Sequence, residues 1–284
     1  MPIQIKPTGA ALGAEIQGAD LTRPLDTATI GQIRAAFYKH EVIYFRGQVL
    51  TDEDHIRFSA HFGELRKLKI GTQLHDTHLE IFVISNIKKD GKPIGSYDAG
   101  IFWHTDGAYL PNPHAVSALR ALQVPVVNGR TLGDTHFVSV LAAYDALSDA
   151  MKKRLAGLKA VQSILHRLSQ TVESGIKKDY SAAVKAEPEA IHPVVRVHPV
   201  NERKCLYVTE GYTSRILGIP EDESRDLIRE LTAHCVKPEF TYLHNWQQHD
   251  LVMWDDCSTQ HKATFDYPAE TPRLMHRTTV VSKQ

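Results

Sequence analysis

The sequence predicts a mainly β fold with helical decoration, and two observations carry this prediction. Short runs rich in β-branched and aromatic residues recur along the whole chain, as is typical of strands. Segments with helical spacing are grouped near the start and in one later region, and their failure to alternate with the strands disfavours a parallel α/β architecture. We therefore expect a β-sandwich or jelly roll, with strands at residues 41–45, 80–84, 115–121, 192–197, 204–208, 250–254 and 273–281.

The helical segments are recognised by apolar residues three or four positions apart. Ile30, Ile33 and Phe37 follow this spacing, and Thr27 is expected to be the N-cap of their helix. A second helix is expected at residues 51–62, where acidic residues near its start suit the helix dipole. Further helices are expected at residues 142–147, 149–158 and 221–235.

No internal repeat, low-complexity segment or Pro/Gly/Ser-rich linker divides the 284 residues. Residues 1–284 are therefore expected to form a single domain, with an inserted helical and loop region around residues 140–190. The 33 Lys and Arg residues balance the 33 Asp and Glu residues, so the formal net charge is zero. Because no basic stripe stands out, no nucleic-acid partner is expected.

The sequence does not have the features expected of a secreted protein or a membrane protein. The N-terminal segment lacks the charged and apolar regions of a signal peptide, and no apolar run reaches the roughly eighteen residues of a membrane span. The three cysteines are too few and too scattered for a disulfide framework. We expect a cytoplasmic protein with reduced thiols and no membrane partner.

The sharpest functional signal is the segment that contains His104 and Asp106. Residues two apart on a strand face the same side, so both side chains can reach one metal ion. A third ligand should come from a distant strand, and His261 is the best candidate because it follows a strand-like run and a short polar turn. Two imidazoles and one carboxylate are typical of Fe(II) oxygenases, but the same donors also occur in catalytic zinc sites.

Because the chain has 16 histidines, other pairs of potential metal ligands at strand spacing are expected by chance. His78 and Glu80 form a competing pair, and His192 and His198 share strand parity. These rivals lack an anion-binding group downstream at suitable spacing, whereas the pair at His104 has one.

That group consists of two arginines on the last predicted strand. Arg273 and Arg277 are four residues apart, so both should point to one side with Met275 between them, while His276 and Thr278 face the other side. Inward guanidiniums need anionic partners, and a dicarboxylate cosubstrate can be gripped bidentately. Two surface arginines on an edge strand are the alternative.

Several ordered motifs run almost from end to end of the chain. They include Gly-Ala-Asp-Leu-Thr-Arg-Pro-Leu at 18–25, Phe-Gly-Glu-Leu at 62–65, Trp-His-Thr-Asp at 103–106, Gly-Asp-Thr at 133–135, His-Pro-Val-Val-Arg at 192–196, Glu-Gly-Tyr-Thr-Ser-Arg at 210–215, Trp-Asp-Asp at 254–256 and the segments 259–261 and 273–277. In these motifs the sequence resembles the family of Fe(II)/2-oxoglutarate dioxygenases that includes taurine dioxygenase and the phenoxyalkanoate herbicide dioxygenases.

The resemblance implies a double-stranded β-helix (jelly-roll) core in a single dioxygenase domain. The residues that it implies as ligands of Fe(II) are His104, Asp106 and His261. By the same analogy Arg273 and Thr135 bind the distal carboxylate of 2-oxoglutarate, and Arg277 faces an anionic group of the substrate. The implied reaction consumes O₂ and 2-oxoglutarate, hydroxylates a small organic molecule, and releases succinate and CO₂. A homo-oligomer, either a dimer or a tetramer, is also implied.

The chain departs from taurine dioxygenase where the substrate should bind. The sulfonate-binding histidine of that enzyme is not evident in the segment 66–70. Lys67 and Lys69 in this segment are expected in a solvated basic loop, with an anion contact as the alternative. Gly100 stands in place of an asparagine, and the loop 126–132 is altered.

Tyr109 and Tyr212 stand where relatives carry the aromatic walls of the substrate pocket. The expected substrate is small and anionic: a sulfonate, a sulfate ester, a phenoxy acid or an amino-acid derivative. A larger natural product with a carboxylate is not separated from these by the sequence. The alternative from another class is a metal-binding jelly-roll protein that is not an oxygenase, such as a zinc hydrolase or a ligand-binding module.

Overall fold

The strands account for most of the regular structure in the computed structural model, which describes residues 2–68, 75–173 and 189–282. Lys69 and the end of the expected insertion, residues 174–188, lie outside the described residues. The strands are β1 Gln4–Pro7, β2 Ala14–Gln17, β3 Val42–Phe45, β4 Phe82–Ser85, β5 Lys88–Lys89, β6 Lys92–Pro93, β7 His114–Gln123, β8 Val126–Val127, β9 Arg130–Thr131, β10 Thr135–Ser139, β11 Lys159–Gln162, β12 Ala190–Pro193, β13 Val195–Val197, β14 Lys204–Leu206, β15 Thr213–Leu217, β16 Thr241–His244, β17 Leu251–Asp255, β18 Thr259–Ala263 and β19 Leu274–Val281.

The first four helices begin after residues whose side chains accept from a free backbone N–H group, whereas the helix Glu221–Cys235 follows Pro220 and has no such cap. The prediction that Thr27 is the first N-cap is wrong: Asp26 has extended backbone and accepts from the Thr29 N–H at 2.8 Å. A carboxylate at this position also suits the helix dipole, and Thr27 becomes the first helical residue. The helices are α1 Thr27–His40, α2 Asp52–Ala60, α3 Val140–Asp145, α4 Asp149–Leu155, α5 Ile164–Glu173 and α6 Glu221–Cys235, with a 3₁₀ turn at Pro238–Phe240.

Seven strands form a major sheet in the order β1-β2-β3-β17-β7-β19-β4. Its neighbours are antiparallel except for β2 and β3. A minor sheet has the order β16-β10-β18. β19 carries Arg277 and begins directly after Arg273, and it lies between β7 and β4, so the alternative of two arginines on an edge strand is wrong.

The two faces of the major sheet are covered differently. On one face Ile33 and Phe37 of α1 and Phe58 of α2 pack in one cluster with Met253 and other side chains of the sheet. On the other face Met275 of the major sheet joins Phe137 of the minor sheet in a shared apolar cluster. Both sheets therefore contribute to one interior layer, and the predicted site residues of β10, β18 and β19 border it.

Most of the expected strands are confirmed, with bounds shifted by one or two residues. The exception is the segment 192–197, which the structure divides into β12 and β13 at Val194. β12 pairs with β11, whereas β13 pairs with β14. Val194 turns between them and donates its N–H to the carbonyl of Leu158. The prediction of one continuous strand at 192–197 is therefore wrong, because its two halves pair with different strands.

The described part of the expected insertion contains more than helices and loops. Its helices α3 and α4 begin or end within a few residues of the predicted bounds, and α4 stops at Leu155 because Ala156 adopts extended backbone. Strand β11 follows and pairs with β12 and β15. The insertion is thereby joined to later parts of the chain by backbone hydrogen bonds.

Two structural observations concern the predictions about membranes and thiols. Among the described residues, no helix combines the length and the apolar character that crossing a membrane requires. Cys205, Cys235 and Cys257 are free and buried. Burial raises the pKa of both Cys205 and Cys235 to about 12, so these thiols stay protonated.

The buried carboxyl of Glu41 makes the stability of the fold depend on pH. Burial raises its pKa from 4.5 to about 7, although Ser139 donates a hydrogen bond to it. A carboxyl whose pKa is raised in the folded state favours folding while it is protonated. Its contribution to the free energy of unfolding is therefore fully present below pH 4.5 and is lost as the pH rises towards 7. Between pH 5 and pH 8, Glu41→Gln should therefore gain up to about 3 kcal/mol in unfolding free energy relative to the parent protein. Urea denaturation at several pH values measures this, and parallel curves for the two proteins would contradict it.

Candidate active site

His104 and His261 come together through the backbone. They form an isolated antiparallel bridge, in which each N–H donates to the other's carbonyl at 3.2 and 2.9 Å. β18 carries His261 opposite Phe137 of β10. The short segment around His104 thus lies beside β18, which explains how two histidines that are distant in sequence meet.

Asp106 completes a buried trio with the two histidines. Its Oδ1 lies 3.6 Å from His104 Nε2 and its Oδ2 lies 4.0 Å from His261 Nε2. The two imidazole centroids are 4.2 Å apart, and the potential ligand atoms of the trio all lie within 4.8 Å of one another. Two nitrogens and one carboxylate are thus within reach of a single ion.

The protonation of the trio suits a cation. His104 Nδ1 lies 2.8 Å from the carbonyl of Phe102 and donates to it, which leaves the lone pair on Nε2, the atom near Asp106. Burial and the neighbouring His104 hold the pKa of His261 well below its usual value, so this imidazole is neutral. The ring of His261 is positioned by packing at 4.7 Å from Trp254 and 5.9 Å from Phe137.

Asp106 is ionised by its surroundings. Burial opposes its charge, but Arg277 Nη1 donates to both carboxylate oxygens at 2.6 Å and holds the pKa of Asp106 well below its ordinary range. The guanidinium of Arg277 lies over the ring of Phe82, 4.9 Å from its centroid. This contact fixes the plane of Arg277 beside the trio.

Two other clusters of metal-ligating side chains occur in the described residues: Asp52 with His75 and His276, and His198 with Asp255 and Cys257. In the second cluster His198 Nδ1 accepts from the backbone N–H groups of Val200 and Asn201, both at 3.2 Å. Its proton therefore lies on Nε2, which donates to Asp255 at 2.7 Å. A metal ligand needs a lone pair there, so this cluster is a hydrogen-bonded core group.

The cluster at Asp52 has the same proton arrangement. His75 Nδ1 accepts from the backbone N–H groups of Thr77 and His78 at 3.3 Å, so Nε2–H donates to Asp52 at 3.1 Å. Arg120 also binds Asp52, at 2.7 Å, and supplies the positive charge that the carboxylate needs. The buried trio at His104 is the cluster whose tautomer fits a metal.

The rival pairs from the sequence do not form metal sites either. His78 contacts Glu53 at 3.2 Å, whereas Glu80 contacts Lys67 at 3.5 Å. His192 Nε2 is bound to a backbone carbonyl at 2.8 Å. The side chain of Lys67 is 65% exposed, which agrees with the prediction of a solvated basic segment for this residue.

Arg273 lies just before β19 and is deeply buried. Its Nε has no hydrogen-bond partner among the described residues, and burial lowers the pKa of the guanidinium. Its backbone is fixed by Asn86 and Ser85, through hydrogen bonds of 2.8 Å each. A buried cation of this kind is costly unless an anion joins it.

Gly133 adjoins the corner that Arg273 occupies, and Thr135 follows two residues later in the chain. Trp246 Nε1 donates to Thr135 Oγ1 at 3.0 Å, which leaves the hydroxyl proton of Thr135 free to donate to another group. Gly133 has φ +80, and a Cβ there would lie 3.4 Å from Arg273 Nε and 3.0 Å from the ring of Tyr267. The absence of a side chain at Gly133 keeps this corner open.

The predicted orientation of β19 is confirmed where the structure tests it. Arg277 reaches Asp106 and Met275 packs in the layer between the sheets, so both are on the inner face. His276 and Thr278 face α2, where they contact Asp52 and Ser59. The period of two in a strand produces this division.

Aromatic and apolar side chains surround the trio on the side of α5. Tyr212 lies 6.0 Å from His104 and 5.1 Å from Tyr109, measured between ring centroids. Ile164 and Leu168 of α5 pack into the same cluster. The two tyrosines were predicted, but the helix residues were missed because their apolar spacing alone does not distinguish a pocket wall from ordinary core.

The backbone at Gly100 explains one departure seen in the sequence. Gly100 has φ +86, and a Cβ there would meet the Ala263 Cβ at 3.2 Å. Any larger side chain is therefore disfavoured at this position. Arg66, in the altered segment 66–70, contacts the buried His114 at 2.8 Å. Burial lowers the pKa of His114 to about 3, the charge of Asp106 acts to raise it, and the charge of Arg277 acts to lower it.

Comparisons with known proteins decide the family. The model of the family described as "Taurine catabolism dioxygenase TauD, TfdA family" matches residues 4–279. The chain belongs to this family. Pentalenolactone F synthase of Streptomyces arenae is 34% identical over 272 residues, which cover 92% of this chain and 90% of the synthase. The α-ketoglutarate-dependent 2,4-dichlorophenoxyacetate dioxygenase of Cupriavidus pinatubonensis is 30% identical over 293 residues, covering 99% and 98% of the two chains.

The fold of this dioxygenase is also shared. A solved structure of AAD-2 in complex with Mn(II) and N-oxalylglycine superposes with a TM-score of 0.84 at 30% identity, covering all of this chain and 98% of the other. The protein is thus a mostly β dioxygenase with helices that uses Fe(II), 2-oxoglutarate and O₂. The alternatives of a zinc hydrolase and a ligand-binding module are not supported.

Proposed function

We propose that this dioxygenase hydroxylates a small anionic organic molecule, and that His104, Asp106 and His261 hold its Fe(II). The observation that carries the proposal is a buried His–Asp–His trio whose carboxylate is paired with Arg277, together with the buried guanidinium of Arg273, whose Nε has no partner among the described residues. Two neutral imidazoles and one carboxylate are the donor set of non-haem Fe(II) oxygenases. When bound, the iron would activate O₂ as 2-oxoglutarate is converted to succinate and CO₂, and so supply the oxidant for the substrate.

Arg273 and Thr135 are proposed to hold the distal carboxylate of 2-oxoglutarate. The unpartnered Nε of Arg273 fits this role because a carboxylate would neutralise the buried charge and accept its hydrogen bonds. Thr135 would add its hydroxyl proton, since Trp246 already occupies a lone pair of the oxygen. Both residues act by binding and orienting the cosubstrate.

Arg277 is proposed to bind the anionic group of the primary substrate. Nη1 is engaged by Asp106, while the buried Nε has no partner among the described residues. Tyr109 and Tyr212 would hold an apolar or aromatic body of the substrate beside His104 and exclude water from it. A guanidinium beside two tyrosine rings suits a phenoxy acid or another carboxylate with an apolar body. It suits taurine less well, because taurine has only a two-carbon chain between its charged groups.

A succinate-release screen tests the substrate class. The panel should pair each acid with its uncharged amide or ester, over phenoxyacetates, alkyl sulfates, alkyl sulfonates, acylated amino acids and larger carboxylated terpenoids. Succinate above the substrate-free background should appear with an acid and not with its uncharged partner. Equal turnover of charged and uncharged partners would contradict the proposed role of Arg277.

Arg277→Lys should separate substrate recognition from the metal site. Lysine keeps a positive charge near Asp106 but cannot form the bidentate contact of a guanidinium. One charge-assisted hydrogen bond is worth about 1.5–3 kcal/mol, so KM for the acid found in the screen should rise about 10–100-fold. Steady-state kinetics measure this, with Mn(II) affinity as the check on the metal site. An unchanged KM would contradict the assignment.

Further proposals concern the whole chain. We infer that the major and minor sheets are the two walls of a double-stranded β-helix, which their shared apolar layer supports, and that residues 1–284 form one domain. The family resemblance favours a dimer or tetramer, which light scattering on the purified protein tests. Three free cysteines suit a reducing cytoplasm, which fractionation of the source cells would test.

A further inference from the structure

A line of buried polar side chains leads away from Asp106. Ser117 of β7 is fully buried, and its Oγ lies 3.0 Å from Asp106 Oδ2 and 2.8 Å from Asp256 Oδ2. The other oxygen of Asp256 accepts from Trp254 Nε1 at 3.0 Å. Asp256 is itself buried in the turn after β17.

The hydrogen atoms available to this line are too few if both carboxyls are ionised. A serine hydroxyl has a single proton, yet Ser117 Oγ faces one carboxyl oxygen of Asp106 and one of Asp256. It can donate to one of them only. The other oxygen must then carry a proton of its own, or two oxygen lone pairs would face each other in the protein interior.

The surroundings decide which carboxyl carries that proton. Asp106 receives two hydrogen bonds of 2.6 Å from Arg277. No Lys, Arg or His among the described residues donates to Asp256, whose polar side-chain partners are Ser117 and Trp254. The proton therefore belongs on Asp256 Oδ2. A divalent cation at Asp106 would favour ionised Asp106 further, so this order does not depend on the metal.

The charges around Asp256 agree with the count of hydrogen atoms. Burial raises its pKa most, and the negative charges of Asp106 and Asp255 raise it further. The hydrogen bond of Ser117 and the charge of Arg277 act in the opposite direction. The net effect places the pKa of Asp256 well above its ordinary value.

We propose that Asp256 is a neutral carboxylic acid that positions Asp106 through Ser117. Asp256 donates from Oδ2 to Ser117 Oγ, and Ser117 donates to Asp106 Oδ2. This one-way chain fixes the rotation of the Asp106 carboxylate relative to His104 and His261 before any ion binds. The inference rests on the proposed function only in taking Asp106 as a metal ligand. Hydrogen-bond partners that orient ligating side chains commonly affect metal affinity about 10–100-fold.

Three variants test the chain through Mn(II) affinity, which needs neither O₂ nor a substrate. Asp256→Asn is neutral, can donate from its amide to Ser117 and can accept from Trp254, so it reproduces the proposed acid and should keep an affinity close to that of the parent. Ser117→Ala and Asp256→Leu break the chain and should each weaken Mn(II) binding about 10–100-fold. If Asp256→Asn weakened binding as much as Ser117→Ala, a charged Asp256 would be indicated and the proposal overturned.

A matched control addresses the loss of any buried serine. Ser59 is buried on the opposite face of the major sheet, where its hydroxyl contacts Thr278 at 2.6 Å. Ser59→Ala should leave Mn(II) affinity unchanged. An equal loss in Ser59→Ala and Ser117→Ala would overturn the specific role of Ser117.

Infrared spectroscopy of the metal-free protein tests the proton itself. The difference spectrum between the parent and Asp256→Asn at neutral pH should contain the carbonyl band of a protonated carboxylic acid, lost in the variant. Subtraction removes the contribution of Glu41, which is the same in both proteins. Without such a band the proposal fails. A parent protein that shows the band but binds no Mn(II) would instead contradict the proposed metal site, so the two failures are distinct.

Discussion

Replacing His261 with alanine should remove metal binding and turnover while the fold persists. The change deletes one of the three proposed ligands, and loss of a direct ligand should cost more than the roughly 100-fold that loss of an orienting partner can cost. His261 Nδ1 has no hydrogen-bond partner among the described residues, so its removal leaves no new unsatisfied atom at that position. Free Mn(II) measured by electron paramagnetic resonance, together with 2-oxoglutarate-dependent succinate release, checks the result. His104→Ala should behave in the same way.

His192→Ala is the matched control for these variants. His192 is a buried histidine that the sequence offers as a rival ligand, but its ring is bound to a backbone carbonyl. Its replacement should leave Mn(II) affinity unchanged. Normal succinate release by His261→Ala or His104→Ala, or loss of metal from His192→Ala, would refute the ligand assignment.

Arg273→Met should have two opposite effects. The affinity for 2-oxoglutarate should fall roughly 100-fold, since a bidentate pair with a carboxylate is worth about 3 kcal/mol. The protein without 2-oxoglutarate should lose no stability and should gain some, because the substitution removes a buried cation that no carboxylate of the described residues neutralises. Anaerobic calorimetric titration of the Mn(II) protein measures the first effect, and thermal unfolding with and without 2-oxoglutarate measures both.

Arg120→Met provides the comparison for Arg273→Met. Arg120 is 4% exposed and Arg273 is 6% exposed, but Arg120 lies on the opposite face and is bound to Asp52 at 2.7 Å and to two backbone carbonyls. Its replacement should destabilise the protein by about 3 kcal/mol or more while leaving 2-oxoglutarate affinity unchanged. If Arg273→Met lowered stability as Arg120→Met does, and 2-oxoglutarate still bound normally, the guanidinium would be a structural group.

The strands that could be predicted are those whose own residues carry the signal. β17 and β19 consist largely of apolar and β-branched residues, and each was located within one residue at either end. β18 reads Thr-Gln-His-Lys-Ala, which lacks that signal, and the five residues of β10, Thr-His-Phe-Val-Ser, carry it only in part. They are strands because they pair with each other, with His261 opposite Phe137.

The site shows the same division. The two-residue spacing of His104 and Asp106 and the four-residue spacing of Arg273 and Arg277 follow from strand geometry, so their common faces were predictable. Ser117 could not be singled out, because it is one polar residue in the long strand β7. Its importance depends on Asp106 and Asp256, which reach it from other parts of the fold.

The order of the motifs along the chain led, through the family resemblance, to the reaction class and to His104, Asp106 and His261 as candidate ligands. Strand periodicity predicted which candidate residues share a face, because it depends only on neighbouring residues. The folded structure was needed to tell which histidines keep a free lone pair, which guanidinium is paired, and which carboxyl carries a proton. These properties depend on the hydrogen-bond partners and burial of each group, and residues far apart in the chain supply both. The same residue types therefore form a candidate metal site at His104 and a hydrogen-bonded core group at His198.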